Sequence, residues 1–275
     1  MLPPARARAI TILSVSAPDP LEVTDIVSSD PALATAVIRA SNSAWSAPRT
    51  AVHAVDTAII RIGPKETLQI VGAAVLNSTF EELELAGLNV EDLWQYVVAT
   101  GLLTEYLLEP DAARDVRAAA YSAGLLHDIG RLAMAAEDPE AYGRVVSSYR
   151  SGTSVLEAER REFGAHHTVR GVEAAEAWGV ARPLHGAILN HHDPLEHLSP
   201  LALAVTRATQ IVWRMGIGDG VRVPASDEER EGLTAEDEWV LSKVGGADAL
   251  RARVEWFRGA MRPDRDEAED ELLVS

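Results

Sequence analysis

The chain has 275 residues, a net charge of −17 and no cysteine, and 47% of its residues are hydrophobic while only 5% are aromatic. The acidic charge and the lack of a basic stripe argue against direct nucleic-acid binding, and the lack of cysteine excludes disulfides and thiolate metal sites. No run approaches the roughly 20 apolar residues that span a bilayer, so we expect a cytoplasmic protein that makes no membrane contact.

Residues 5–85 are predicted to form an N-terminal helical subdomain that carries no chemistry. Asp30 as N-cap and Pro31 at the first helical position begin a helix within the stretch 21–43, whose apolar residues recur at helical spacing. We expect Asn42, near the end of that helix, to hold loop backbone rather than to act in catalysis. A further helix is predicted over residues 55–62, followed by the punctuating pair Gly63 and Pro64.

Residues 90–215 are predicted to form a second helical subdomain. Residues 118–126 are typical of an apolar helix, which we expect to end at Gly130, a residue tolerant of left-handed backbone. Ser154 and Glu157 predict a capping box for a helix that runs through Phe163. Four other predicted helices complete this part: one from Val90 that closes at Pro110, one across FGAHHTVRGVEAAEAWGV that stops near Gly179, one from near Pro183 that ends at His191 and His192, and one over 201–213.

The rest of the chain is predicted to contain a loop, closing helices and a tail. Residues 216–238 are rich in glycine and acids and predict a mobile loop, 239–262 predict one or two closing helices, and 263–275 predict a frayed acidic tail. Because Ala, Leu and Val dominate and helical spacing recurs throughout, the predicted class is all-α.

The residues with chemical potential are concentrated in the second subdomain, where six of the eight histidines lie between His127 and His192. Imidazole and carboxylate together suit Mn, Fe, Zn or Ni, and such ions activate water for attack on phosphate esters. The alternative is a polar seam in which the same groups cap helix ends and hydrogen-bond to one another. The candidate metal ligands are His127, Asp128, His167, His191 and His192. The remaining histidines, His53, His166, His185 and His197, are interpreted as surface residues.

Several segments together resemble a known family. DPALATAVIRASNSAW and AVDTAIIRIGPKETLQIV are similar to the N-terminal half of the HDOD family, a non-catalytic relative of the HD-domain phosphohydrolases. LLHDIGRL, FGAHHTVRG and AILNHHDP are similar to its C-terminal half. The resemblance covers residues 5–215 and implies a helical bundle of the HD-domain type with an N-terminal helical subdomain. It also implies a role in bacterial signalling, beside cyclic-dinucleotide or two-component machinery.

The resemblance also implies what the ligand set has lost. Active HD hydrolases have a metal-binding His where this chain has Tyr96, and an Asp where ungapped matching places Thr209. Tyr and Thr are poor ligands for a divalent ion at neutral pH, and two ligands rarely hold a catalytic metal. His167, His191 and His192 match additional histidines of the related HD-GYP phosphodiesterases, although the GYP tripeptide is absent.

Three functions follow from these residues. The first is a regulatory module that acts through contacts with unidentified signalling proteins, a pseudoenzyme without a required cofactor. The second is a phosphohydrolase that uses a divalent transition metal held by the candidate ligands. The third is a sensor of a nucleotide second messenger, for which Arg131 and Arg170 are the only bases near the motifs in the sequence. The partner, the signal and the oligomeric state stay open.

Overall fold

The computed structural model describes residues 4–13, 18–47, 50–81, 87–222 and 232–261. Every regular element in these ranges is helical and no strand occurs in them, so the all-α prediction is confirmed. Within the described ranges no helix has both the length and the apolar character to cross a membrane.

The helices, in chain order, are α1 (Pro4–Ile12), α2 (Pro20–Ser28), α3 (Pro31–Asn42), α4 (Val55–Ile62), α5 (Pro64–Glu81), α6 (Val90–Leu107), α7 (Arg114–Leu126), α8 (Ile129–Glu137), α9 (Pro139–Arg150), α10 (Val155–Phe163), α11 (His167–Ala177), α12 (Arg182–Asn190), α13 (Pro200–Arg214), α14 (Ala235–Ser242) and α15 (Ala247–Met261). A 3₁₀ turn at Leu195–His197 separates α12 from α13.

The first five helices form around the signals present in the sequence. The Asp30 carboxylate accepts hydrogen bonds from the backbone N–H groups of Ala32 and Leu33 at 2.9 and 3.3 Å, which satisfies the first turn of α3. The Asn42 side chain both donates to and accepts from the backbone of Val52, at 2.7 Å in each case. The predicted role of Asn42 in holding a loop is therefore confirmed.

Three helix–helix contacts position the helices of the second half. α6 packs against α7 and α13, and α8 packs against α11. Contrary to the sequence prediction, Gly130 does not end a helix in left-handed backbone but lies inside α8. A Cβ atom there would collide with the backbone of His167 and Gly171. Glycine is needed at this position because α8 and α11 approach through their backbones.

Two other sequence predictions are wrong in detail. Ser154 precedes α10 but makes no side-chain capping bond. Helix α14 begins at Ala235, inside the stretch 216–238 predicted as a loop, because Thr234 and Asp237 form a capping box. Residues 216–222 include the buried residues Asp219 and Val221, whereas 223–231 and the predicted tail 263–275 lie outside the described residues.

The last helix returns to the first half of the chain. α15 packs against α3, α5 and α6, and the Trp256 indole N–H donates to the Ala40 carbonyl at 3.2 Å. The Trp94 indole N–H donates to the Ala73 carbonyl at 3.0 Å, which joins α6 to α5. The two halves therefore share one continuous apolar core, and the polar groups described next lie within the second half.

Candidate metal centre

Three helix ends meet at one point of the second half. Asp128 lies in the turn between α7 and α8, and His167 is the first residue of α11. His191 caps the C-terminus of α12, and His192 follows it. Backbone groups at helix ends have no partner within the helix, so polar side chains are common next to them. Because three helix ends lie together here, polar residues converge inside an apolar bundle.

Four of the five predicted ligands offer donor atoms that lie within 4.8 Å of one another: Asp128, His167, His191 and His192, which we call the four-donor cluster. The His167 Nε2 atom lies 3.3 Å from His191 Nε2 and 3.2 Å from His192 Nε2. Asp128 Oδ1 is 3.2 Å from His167 Nε2 and 3.4 Å from His191 Nε2. The first three residues are buried, whereas His192 is exposed on its outer side.

The other ring nitrogen of two of these histidines is held by a fixed partner. His167 Nδ1 lies 2.8 and 2.9 Å from the two carboxylate oxygens of Glu159, which is completely buried. His191 Nδ1 lies 2.9 Å from the Ile188 carbonyl oxygen. In both rings Nδ1–H is therefore the donor, and Nε2 is directed toward the cluster. Carboxylate or carbonyl support of this kind is typical of histidines that bind metals.

The pKa values of the cluster residues follow from their burial and from the groups around them. Burial alone would raise the pKa of Asp128, but His127 and hydrogen bonds from the neighbouring imidazoles hold that pKa well below its usual range. Burial would lower the pKa of His167, but hydrogen bonds to Asp128 and Glu159 raise it to about 9. Burial and the adjacent imidazoles lower the pKa of His192. His167 therefore carries a second ring proton at neutral pH. That proton lies among the Asp128 carboxylate and the lone pairs of the neighbouring imidazoles.

The donor set fits a divalent transition metal. Three imidazoles and one carboxylate are ligands that Zn²⁺, Mn²⁺, Fe²⁺ and Ni²⁺ accept. Such an ion would be held by the four-donor cluster and would take the place of the proton on His167. The support of Glu159 and the Ile188 carbonyl already orients the donor atoms that it needs.

The fifth predicted ligand, His127, stands beside the cluster rather than in it. Its Nδ1 atom lies 2.7 Å from the Gly124 carbonyl oxygen, and its Nε2 atom lies 3.6 Å from Asp128 Oδ2. That Nε2 atom is buried and has no hydrogen-bond partner. Burial lowers the pKa of His127 to about 4, so the imidazole is neutral at physiological pH.

Tyr96 and Thr209, which the resemblance places where two metal ligands would be, do lie in the same cavity wall as His127. The Thr209 hydroxyl, which donates to the Thr206 carbonyl at 2.7 Å, lies near the Tyr96 phenol. Burial and the charge of Asp128 raise the pKa of Tyr96 well above its usual value. The phenol is therefore neutral at physiological pH.

The cluster opens into a cavity of about 620 Å³, which we call the cluster cavity. Its walls bring in two arginines that no sequence motif indicates, Arg214 from the end of α13 and Arg222 from the segment after it. Arg131, noted in the sequence, is buried at the cavity base and donates to Asp128 at 3.2 Å. Arg170 instead pairs with Glu137 and Glu173 elsewhere.

Glu159 is the functional residue that sequence reasoning missed. It lies on α10 four residues after Val155 and four before Phe163, so helical spacing puts it on the same face as two apolar residues. An acidic residue on an apolar face is a signal of burial, and buried carboxylates need partners.

Comparisons with known proteins address the family and the fold. The family model described as HDOD domain matches residues 1–194. A crystal structure of an HDOD domain protein with unknown function from Geobacter sulfurreducens has a TM-score of 0.68 at 20% identity, covering 94% of this chain and 91% of that one. No curated protein matches this chain.

Two further solved structures are similar. One, named "Putative phosphohydrolase" and from Shewanella amazonensis SB2B, has a TM-score of 0.65 at 22% identity, covering 95% of this chain and 91% of that one. The other, named "Putative signal transduction protein" and from Marinobacter aquaeolei VT8, has a TM-score of 0.67 at 22% identity, covering 94% of this chain and 60% of that one. At these identities the likeness establishes the helical fold alone.

Proposed function

Because this chain belongs to the HDOD domain family, we propose that it is a regulatory module of signal transduction, which holds one divalent transition-metal ion and hydrolyses no phosphate ester. One observation carries the proposal: a complete set of four donors lies beside an incomplete one. The four-donor cluster supplies the first set. The second consists of His127 and the shared Asp128, next to the neutral pair Tyr96 and Thr209.

The number of donors favours retention of an ion without hydrolysis. Structural zinc sites have four protein ligands, whereas catalytic sites commonly have three and keep a position open for water. Hydrolysis of phosphate esters often uses two ions about 4 Å apart, which stabilise the attacking and leaving oxygens together. His127 and Asp128 alone are too few to hold a second ion.

An ion in the four-donor cluster would join three helix ends that are distant in sequence. Asp128 follows α7, His167 begins α11 and His191 ends α12. Since the free energy of metal binding adds to the free energy of folding, the ion would stabilise one arrangement of these helices. The outer faces of these helices then transmit the presence of the ion to partner proteins. The acidic net charge of −17 agrees with a protein partner rather than a nucleic acid.

Metal analysis with a matched pair of variants tests the proposal. The protein would be purified without chelator or nickel resin, and its metal content and its turnover of bis(4-nitrophenyl) phosphate would be measured. His192→Ala removes a donor from an exposed position, and His197→Ala removes an exposed imidazole that is outside the cluster. We expect one ion per chain in the wild type and in His197→Ala, little in His192→Ala, and no turnover in any of them.

Two results would change the conclusion. Turnover that disappears in His192→Ala but persists in His197→Ala would make the protein a metal-dependent phosphohydrolase. Absence of metal from all three proteins, even after incubation with Mn²⁺ or Zn²⁺, would leave the cluster as a polar seam between helix ends.

A further inference from the structure

A second cavity lies between α15 and the first half of the chain, and it shares no lining residue with the cluster cavity. Its volume is about 360 Å³, and we call it the tryptophan groove. Five of its lining residues come from four parts of the chain. They are Trp45 after α3, Arg61 on α4, Glu66 on α5, and Arg253 and Trp256 on α15.

The aromatic part of the tryptophan groove is a fixed pair of rings. Trp45 and Trp256 stack with their centroids 5.5 Å apart and their planes at 14°. Trp256 is only 8% exposed and its indole N–H donates to the Ala40 carbonyl, whereas Trp45 is 51% exposed. The two hydrogen bonds between Asn42 and Val52 close the loop that carries Trp45. Because the exposed ring is already held in place, little conformational entropy is lost when another ring packs on it.

The charged part of the groove has an excess of arginine. Arg253 Nη2 donates to Gln69 Oε1 at 2.8 Å and lies 3.6 Å from Glu66 Oε1. The Nε atom of Arg253 is buried and has no hydrogen-bond partner among the described residues. The exposed side chain of Arg61 forms no ion pair or hydrogen bond within the described ranges. Two guanidinium groups and one carboxylate therefore line the groove, which makes it positive in a chain whose net charge is −17.

These residue types favour a protein partner with acidic and aromatic side chains. Tryptophan and arginine are the residues on which binding energy is most often concentrated in protein interfaces. Aromatic rings pack well on other rings, and the planar guanidinium group matches the geometry of a carboxylate. A membrane or a nucleic acid would bring its negative charge against the acidic surface around the groove as well. The few charges of a peptide segment meet the groove alone.

We propose that the tryptophan groove binds an acidic peptide segment of a partner protein. An aromatic side chain of the segment packs on Trp45, and its carboxylates pair with Arg61 and Arg253. The inference deepens the proposed function and rests on one part of it, the action of this chain through protein partners. It does not depend on the metal ion, because no residue of the four-donor cluster lines the groove.

Titration of the whole chain with a model peptide tests the inference. The probe is a blocked oligopeptide of glutamate with one central phenylalanine. A second peptide has lysine in place of glutamate, and a third has alanine in place of phenylalanine. Calorimetry gives the dissociation constants, and the indole N–H signals of ¹⁵N-labelled protein show which of the six tryptophans the peptide contacts. Metal content is measured on the same samples.

Two pairs of variants supply the controls. Arg61→Gln removes the cation that has no partner, and Arg161→Gln removes an equal charge from an exposed residue of α10 that pairs with Glu157. Trp45→Leu removes the exposed ring of the groove, and Trp239→Leu removes an equally large ring that is 61% exposed on α14. All four substitutions are at exposed positions.

We expect the glutamate–phenylalanine peptide to shift the indole signal of Trp45 and to leave that of Trp239 unchanged. The dissociation constant should rise about tenfold in Arg61→Gln and in Trp45→Leu, and stay unchanged in Arg161→Gln and Trp239→Leu. The alanine peptide should bind more weakly than the probe. The lysine peptide should not bind.

Four results would overturn the inference. They are absence of peptide binding, equal binding by a variant and its control, and a Trp45 signal that responds to phosphatidylserine vesicles but not to the peptide. The fourth is a dimer in sedimentation that dissociates in Arg61→Gln, since a second copy would then occupy the groove. If the peptide binds as expected but no chain holds metal, the inference stands and the metal site of the proposed function fails. If each chain holds one ion but no peptide binds, the inference alone fails.

Discussion

Asp30 in the first half and Asp128 in the second are buried to the same degree, with 8% and 7% of their surface exposed, but they are used differently. The carboxylate of Asp30 serves the backbone of its own helix, and Arg6 lies 2.9 Å from its other oxygen. The carboxylate of Asp128 makes no capping bond. It faces Arg131 and the imidazoles of the four-donor cluster.

The difference between the two aspartates separates buried polar groups that cap helices from those that form the candidate site. Polar groups that satisfy nearby backbone complete the secondary structure and need nothing further. Polar groups from distant helix ends that face only one another keep their donor atoms converged, and a proton or an ion must lie among them. Burial alone does not distinguish the two cases, but the partners do.

The largest expected effect comes from making the same substitution at both aspartates. Asp128→Asn removes the nearer of the two carboxylates that pair with the buried Arg131, at 3.2 Å against 3.8 Å for Asp219, and we expect the free energy of unfolding to fall by about 3 kcal/mol. Asp30→Asn keeps a capping oxygen, because Asn caps helices as well as Asp, but it weakens the pair with the partly buried Arg6, and it should cost about 1 to 2 kcal/mol. Chemical denaturation of the metal-free proteins measures both. Equal losses would show that burial, not partnership, decides the cost.

A second comparison concerns two helical glycines. Gly130→Ala places a methyl group against the backbone of α11, which cannot yield as a side chain can, and we expect a loss of about 3 kcal/mol together with weaker metal binding. Gly186→Ala in α12 meets nothing within 4 Å and should gain up to about 1 kcal/mol from helix propensity. Thermal and denaturant unfolding check both. Tolerance of alanine at Gly130 would mean that α8 and α11 are farther apart.

Local signals in the sequence are enough to predict most of the fold. The caps and prolines at Asp30 and Pro31 locate α3, and the limits predicted for α12, near Pro183 and at His191, agree with the structure. The prediction at Gly130 is wrong because its local signal, a glycine after an apolar run, is the same for a helix end and for a close contact between helices. Only the position of α11 decides between them.

The candidate site is predictable as a list of residues but not as an arrangement. The histidines stand out by their concentration, yet nothing local separates His127, which lies beside the cluster, from His167, which lies in it. Glu159 and Arg222 lie outside the histidine motifs, and packing brings Glu159 to His167 and Arg222 to the lining of the cavity. Asp128, His167 and His191 come from three different helix ends, so no sequence spacing relates these three residues.

The role of Glu159 can be measured against a neighbour on the same helix. Glu159→Gln keeps one acceptor but removes the charge that supports His167, and we expect metal affinity to fall about 10- to 100-fold. Glu157→Gln changes an exposed side chain that pairs only with Arg161, and should have no effect. Competition with a chelator gives both dissociation constants. An unchanged affinity in Glu159→Gln would show that Glu159 only stabilises the fold.

The pH dependence of metal binding follows from the proton on His167. Because the pKa of His167 is raised to about 9 in the metal-free fold, an ion must displace a proton at neutral pH. Apparent affinity should therefore rise about tenfold per pH unit from pH 7 toward pH 9 and then level off. Chelator-buffered Zn²⁺ titrations at successive pH values measure this.

The same proton also stabilises the metal-free fold. This stabilisation decreases as the pH rises, whereas metal affinity increases. The folded pKa of His167 exceeds its ordinary value of 6.5, so the stabilising contribution is complete below about pH 6.5 and is lost as the pH rises toward 9. Metal affinity and metal-free stability should thus change in opposite senses over one pH window. In Glu159→Gln the pKa of His167 falls, because one of its two supporting carboxylates is neutralised, and both curves should move to lower pH together. Metal affinity that did not vary with pH would mean that His167 carries no proton before the ion binds, and the cluster would then be held together by its hydrogen bonds alone.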